Sequence, residues 1–171
     1  MSAELRKQPG LTWISLVKET SALLGGVVGI IHPQMYRVGK EAMNQLQDGA
    51  VTVGKSETLK QILQSWSTPF NALSVINNQT TPLHRDNGGC YAWFDLLATV
   101  GDYERARMNL PGLGLRLGYD PGTVVAFSGR LLQHGVAEVS GERACIAYYM
   151  REVVMEAMGM PVAEWVNVGQ M

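Results

Sequence analysis

His84 and Asp86, separated only by Arg85, are followed fifty residues later by His134 and then by Arg143. Two imidazoles and one carboxylate are the donor set of a facial Fe(II) triad. That triad leaves three coordination positions open for a bidentate oxoacid and dioxygen. In an extended strand alternate side chains share a face, so His84 and Asp86 point one way and Arg85 the other. A third ligand from a distant strand then completes the set. Arg143 opens the strand-like run from Glu142 to Met150, and the next side chains on its face, Cys145 and Ala147, are small. They leave room beside a planar guanidinium, which pairs bidentately with a carboxylate. Taken together, the residues describe an iron site with a cationic anchor for an acidic co-substrate. The competing reading is a salt-bridged core arginine and two core histidines with no ligand.

The elements that must position these groups change character along the chain. Residues 1–70 read mainly helical. Trp13, Leu16, Val17, Ser21, Leu23 and Leu24 form one loose stripe, and Gln34 to Leu46, after Pro33, forms a second. Ser56 to Trp66 carries Leu59, Ile62, Leu63 and Trp66 at helical spacing, with Ser56 placed as a cap. From Asn71 onward short apolar or β-branched runs alternate with turns. The runs are Ala72 to Gln79, Cys90 to Val100, Ala106 to Leu110, Gly114 to Gly118, Thr123 to Phe127, Leu131 to Val136 and Arg143 to Arg151. Gly88-Gly89, Pro111-Gly112, Asp120-Pro121-Gly122, Ser128-Gly129 and Ser140-Gly141 punctuate them.

This texture predicts an α+β fold: a double-stranded β-helix core of the jelly-roll, cupin-like kind with N-terminal helices packed outside it. The expected organisation is one domain over residues 1–171. Within it, 1–70 is helical support, 71–151 the β-helix core, and 152–171 a C-terminal helix, from about Val153 to Met158, followed by a tail with Trp165 that closes one end.

The 171 residues suffice for one real core. With 46% hydrophobic and 17% charged residues, the composition is that of a globular chain. A net charge of −1 gives no global attraction to nucleic acid, so any such contact must be local. Cys90 and Cys145 are too few for a disulfide framework or a structural zinc site and fit a reduced compartment. The N-terminus lacks the apolar core of a signal peptide, and Leu23 to Ile31 is too short to span a bilayer. The expectation is an intracellular, soluble protein without membrane contact.

From about Leu73 to Arg151 the chain resembles the TET/JBP-type 2-oxoglutarate and Fe(II) dioxygenases, most closely the short fungal members. The stretches that carry the resemblance are Thr81-Pro82-Leu83-His84-Arg85-Asp86-Asn87-Gly88-Gly89, Trp93-Phe94-Asp95-Leu96-Leu97, Tyr119-Asp120-Pro121-Gly122-Thr123-Val124-Val125, His134-Gly135-Val136, and Gly141-Glu142-Arg143 running into Tyr149-Met150-Arg151. Ile31-His32-Pro33-Gln34-Met35-Tyr36-Arg37 adds a further block. The chain has none of the Cys-rich zinc-binding region that helps animal TET enzymes grip duplex DNA.

The resemblance implies that His84, Asp86 and His134 hold Fe(II), that 2-oxoglutarate chelates it, and that Arg143 binds the distal carboxylate while dioxygen takes the remaining position. It also implies oxidation of the methyl group of a modified nucleobase, 5-methylcytosine in DNA first, with the base flipped into the pocket. A nuclear location follows if that holds. The alternatives are hydroxylation of a protein side chain or small molecule, and a cupin-like binding module without turnover. Asn78 is a candidate donor to 2-oxoglutarate or else a strand-end hydrogen bond. Asn87, Tyr91, Trp93, Asp95 and Arg151 are candidates for contact with substrate or for support of the ligands, against core packing for the aromatics. His32, with Tyr36 and Arg37, reads as a lid, as a contact to the C1 carboxylate, or as a helix-terminus histidine with no catalytic role. Arg105 and Arg107 share a face of an extended segment, as phosphate contacts or as an exposed edge.

Overall fold

A computed structural model describes residues 7–49, 57–137, 139–167 and 169, so the Ser56 cap lies outside the described residues. Two compact units are present, one drawn from Met1–Asn71 and Met155–Met171, the other Ala72–Val154. The first contains α1 (Gln8–Leu16), α2 (Lys18–Ile31), α3 (Pro33–Gln47) and α4 (Glu57–Ser65). Proline at the start of α3 fits the first turn, where its missing N–H is not needed. His32 sits at the N-cap, and its Nδ1 accepts from the Met35 N–H at 3.4 Å. The structure therefore takes the helix-terminus reading of that histidine. The helices bury periodic faces: Ser21, Leu24, Gly25 and Val28 on α2, Met35, Gly39, Ala42 and Met43 on α3, Ile62 and Leu63 on α4. No single described helix is long and apolar enough to cross a membrane; α1 and α2, bent by 54° at their junction, reach that length only as a pair.

The second unit is built from β1 (Ala72–Asn77), β2 (Thr81–His84), β3 (Asp95–Tyr103), β4 (Arg107–Leu110), β5 (Leu115–Gly118), β6 (Val124–Phe127), β7 (His134–Val136) and β8 (Gly141–Tyr149). They form two four-stranded antiparallel sheets, ordered β1-β8-β3-β6 and β2-β7-β4-β5. This is a jelly-roll arrangement. A short helix, α5 (Glu152–Ala157), follows β8. The core of the unit is Tyr103, Ala106, Met108, Leu110, Tyr119, Phe127, Val136 and Cys145.

Several boundaries differ from the sequence reading. The run from Cys90 enters β3 only at Asp95, because Cys90 to Trp93 closes a turn in which the Trp93 N–H donates to the Cys90 carbonyl. Leu131 and Leu132 likewise donate to the Ser128 carbonyl, so only His134–Val136 is strand. In both cases an apolar run closes a turn on a nearby backbone carbonyl before the strand begins. Arg105 has φ 60° and belongs to the β3–β4 turn, which removes it from any extended face shared with Arg107.

Gly101 lies in β3 opposite Arg143 with φ 135°, and a Cβ there would overlap the Glu142 carbonyl oxygen. Neither the backbone angle nor the space tolerates a side chain. Gly101→Ala is expected to lower unfolding free energy by on the order of 3 kcal/mol in urea titrations. An unchanged midpoint would show that β3 and β8 part here at little cost.

Candidate metal centre and the cavity behind it

β2 and β7 pair so that His84 lies opposite His134, which puts their ring centroids 4.3 Å apart. Asp86 is beyond the end of β2, in a loop and not in the extended strand that the H-x-D spacing suggested. The loop turns it inward, where the Asp86 N–H donates to the Gly129 carbonyl at 2.9 Å. The His84 Nε2 is 3.5 Å from one Asp86 oxygen and the His134 Nε2 is 3.6 Å from the other. One ligand atom from each residue lies within 4.8 Å of the other two. His84 Nδ1 is 2.8 Å from the Pro82 carbonyl and His134 Nδ1 is 3.0 Å from the Leu132 carbonyl. Each Nδ1–H therefore donates to a backbone oxygen two residues upstream, which leaves both Nε2 lone pairs facing the carboxylate. Burial holds the His134 imidazole below its usual pKa, which favours the neutral, metal-binding form. The donor set fits a divalent iron with open positions.

The loop that carries Asp86 is tied to the loop before β7. Besides the Asp86–Gly129 bond, the Gly129 N–H donates to Asp95 Oδ2 at 3.0 Å, Arg85 Nε donates to the Leu131 carbonyl at 3.0 Å, and Arg130 donates to Asn87 Oδ1 at 3.0 Å. Arg130 also stands over the Tyr91 ring at 5.1 Å. Burial, with the Asp86 charge adding to it, pushes the Asp95 carboxyl up to about 7; the Gly129 N–H works in the opposite direction. Two carboxylates held around one glycine repel each other, and the more buried of them, Asp95, holds its proton more tightly for it.

Behind the triad lies a cavity of about 310 Å³ between the two sheets. Arg143, Cys145, Ala147 and Tyr149 follow one another along its wall, as alternation on β8 requires. Arg143 is 3% exposed, and its Nη1 is buried without a hydrogen-bond partner. Its guanidinium is 5.7 Å from the Tyr119 ring centroid. A buried cation with an unused donor is unfavourable until an anion meets it. The cavity thus joins a metal donor set to a carboxylate acceptor site, and the residues present fit an oxoacid bridging the two.

The remaining candidates scatter. Asp95, Asn87 and Arg151 line the cavity with the triad. Asn78, with φ 49°, accepts from the Arg143 N–H at 2.7 Å and donates to Glu142; it stands at a strand end, holding the Arg143 strand. Tyr91 is 52% exposed at the loop surface, and Trp93 is 2% exposed in the core; neither lines the cavity. Sequence reasoning passed over Tyr119, Ser74 and Tyr149, which do. The Ser74 and Tyr149 hydroxyls are 3.0 Å apart, and Arg151 lies 5.5 Å from the Tyr149 ring. Alternation along β8 from Arg143 could have found Tyr149. Nothing local marks Ser74 or Tyr119. Arg85 and Arg130 are tied to the loops around the triad and Arg151 lines the cavity, while Asp102 and Glu142 pair across β3 and β8.

The oxygenase domain of the 2OGFeDO superfamily, Tet_JBP, matches residues 2–152. No curated protein matches the chain in sequence. Among solved structures, NgTET1 in complex with 5mC DNA superposes with a TM-score of 0.64 at 14% identity, over 99% of this chain. The chain spans 60% of the length of that NgTET1 chain.

Proposed function

The chain belongs to the Tet/JBP family of 2-oxoglutarate- and Fe(II)-dependent oxygenases, and from that premise we propose that it oxidises the methyl group of a modified nucleobase, 5-methylcytosine in DNA before others. In this reading His84, Asp86 and His134 hold the iron, and Arg143 pairs with the distal carboxylate of 2-oxoglutarate. Bound together, iron and 2-oxoglutarate supply dioxygen activation coupled to oxidative decarboxylation. The protein's own part is geometric. The Pro82 and Leu132 carbonyls fix the imidazole tautomers, the Gly129 backbone sets Asp86, and the apolar wall of Ile76, Leu97, Met108 and Val136 excludes water around the co-substrate.

The observation that carries the chemistry is the buried Arg143, its Nη1 without a hydrogen-bond partner, sharing a cavity with the His-Asp-His cluster. Anaerobic addition of Fe(II) and 2-oxoglutarate should produce a weak visible charge-transfer band in the wild type, absent from His134→Ala. No band and no uncoupled succinate would leave a binding module instead.

The nucleobase reading is supported by the fold shared with a protein solved on 5mC DNA and by three arginines, Arg85, Arg130 and Arg151, on the loops around the triad and on the cavity wall. A methyl carbon on a base reaches the iron only when the base leaves the stack, which requires aromatic or apolar walls and phosphate contacts. Tyr149 and Met150 on the cavity wall, with Arg151 lining it and Arg85 and Arg130 on the adjoining loops, offer both. With a net charge of −1, binding rests on these few cations and is salt-sensitive. A nuclear location follows from this reading alone. Mass spectrometry of nucleosides after incubation with methylated oligonucleotides at low salt should reveal the hydroxymethyl product. If no methylated oligonucleotide is oxidised or stimulates succinate release, the substrate is a protein side chain or a small molecule.

A further inference from the structure

β4 and β5 carry a cationic surface that faces away from the core. Met108 and Leu110 are buried, so alternation turns Arg107 and Asn109 to the opposite face of β4. Across the ladder Asn109 lies opposite Arg116 and Arg107 opposite Gly118, which places all four on that outer face. Both arginines are exposed. Arg116 Nε donates to Asn109 Oδ1 at 3.2 Å, and Arg107 Nη1 donates to the Ala106 carbonyl at 2.8 Å. Among the described residues no carboxylate pairs with either of them. Asp120 stands at one corner, its Oδ2 3.9 Å from the place a Gly118 Cβ would take. As diagonal neighbours the two arginines have Cα atoms roughly 7–8 Å apart. That is about two steps of one nucleic-acid strand, whose phosphates rise roughly 3.4 Å each.

We propose that the outer face of β4 and β5 is a second nucleic-acid contact, where Arg107 and Arg116 hold backbone phosphates of the strand whose target base enters the cavity. The inference rests on the nucleobase reading above for its partner. An arginine fork matches a phosphate bidentately, and the acceptors these two now hold are neutral. Between the guanidiniums lie Asn109 and Gly118, so a protein partner finds no apolar anchor there. Arg85 links this face to the metal centre. It is exposed and follows β2, the opposite edge strand of the same sheet, while its chain neighbours His84 and Asp86 belong to the triad. Strand spacing of about 4.8 Å puts β2 and β5 roughly 14 Å apart, about four phosphates of one strand. Such a contact reads no sequence. It adds backbone affinity that a net charge of −1 does not supply.

The test compares wild type with the double variant Arg107→Gln/Arg116→Gln in anisotropy titrations of labelled single-stranded oligonucleotides, methylated and unmethylated, over a range of salt. The variant should bind both strands about tenfold more weakly at low salt. The slope of log affinity against log salt should flatten by roughly 1.4, the share of two phosphate contacts. The anaerobic charge-transfer band with Fe(II) and 2-oxoglutarate should stay unchanged. Equal affinity and slope in the two proteins would overturn the proposal, and so would loss of the band, which would mean a structural role. If the variant does not fold, phenylglyoxal modification of wild type gives the second measurement. The oligonucleotide should protect Arg107 and Arg116, and equal modification with and without it would overturn the proposal. So would wild type held by phosphatidylserine vesicles and by no oligonucleotide, which assigns the face to a lipid surface. Strands bound through these arginines with no methylated base oxidised would support this surface and remove the nucleobase reading, a separate failure.

Discussion

Gly129→Ala is expected to abolish Fe(II) binding while leaving the fold intact. The glycine lies on the inside of the loop that precedes β7, and a Cβ there would overlap one carboxylate oxygen each of Asp86 and Asp95. Short side chains have little room to yield. Asp95 is held by the Gly129 N–H itself, and the Asp86 backbone is held by the Gly129 carbonyl. The methyl group must therefore push Asp86 out of the position it shares with His84 and His134. Disturbing the support of a ligand typically weakens metal affinity 10- to 100-fold, and displacing the ligand itself should reach the upper end, on the order of 100-fold or more. Isothermal titration with Fe(II), or with Co(II) as a redox-stable probe, would measure it, and circular dichroism would check the fold. Retention of wild-type affinity would mean that Asp86 is not a ligand or that the loop can relax around the new atom.

Replacing Arg143 should separate function from stability. Arg143→Met is expected to eliminate measurable 2-oxoglutarate binding, with Fe(II) affinity nearly unchanged, because a buried carboxylate loses the guanidinium that pairs with it. The same substitution should make the ligand-free protein more stable. Arg143 is buried with one nitrogen unpartnered, a penalty of about 1–3 kcal/mol that a methionine of similar length avoids. Arg143→Lys keeps the charge without the fork, and its 2-oxoglutarate affinity should fall roughly ten- to a hundred-fold. Thermal melts with and without 2-oxoglutarate read both effects at once. A destabilised Arg143→Met protein would show that the guanidinium supports the sheet, and unchanged affinity in Arg143→Lys would move the anchor to another cation.

These residues differ in how far their chemistry is local. Histidine, aspartate and arginine carry their donor atoms wherever they sit, so His84, Asp86, His134 and Arg143 stand out from type and spacing. The turn residues between short apolar runs announce a strand-rich second half for the same reason: glycine and proline restrict the backbone in place. Strand limits were less legible, because the runs from Cys90 and from Leu131 are apolar enough for strands yet close turns on their own carbonyls. β2 is missing from the runs read as strands, although the spacing of His84 and Asp86 suggested an extended segment there, since Thr81-Pro82-Leu83-His84 is too short to show a period.

What only the tertiary structure decided is which side chains meet. The pairing of His84 with His134, the Gly129 backbone between two carboxylates, the spending of Asn78 on the Arg143 strand, and the place of Tyr119 beneath the guanidinium all depend on contacts between strands and loops far apart in the chain. By itself the sequence determined the turns and an α+β chain with a jelly-roll half, and it singled out the candidate donor set of His84, Asp86 and His134. Register and loop closure chose the neighbours, because burial at each position is settled by the whole sheet pairing and not by the residues beside it.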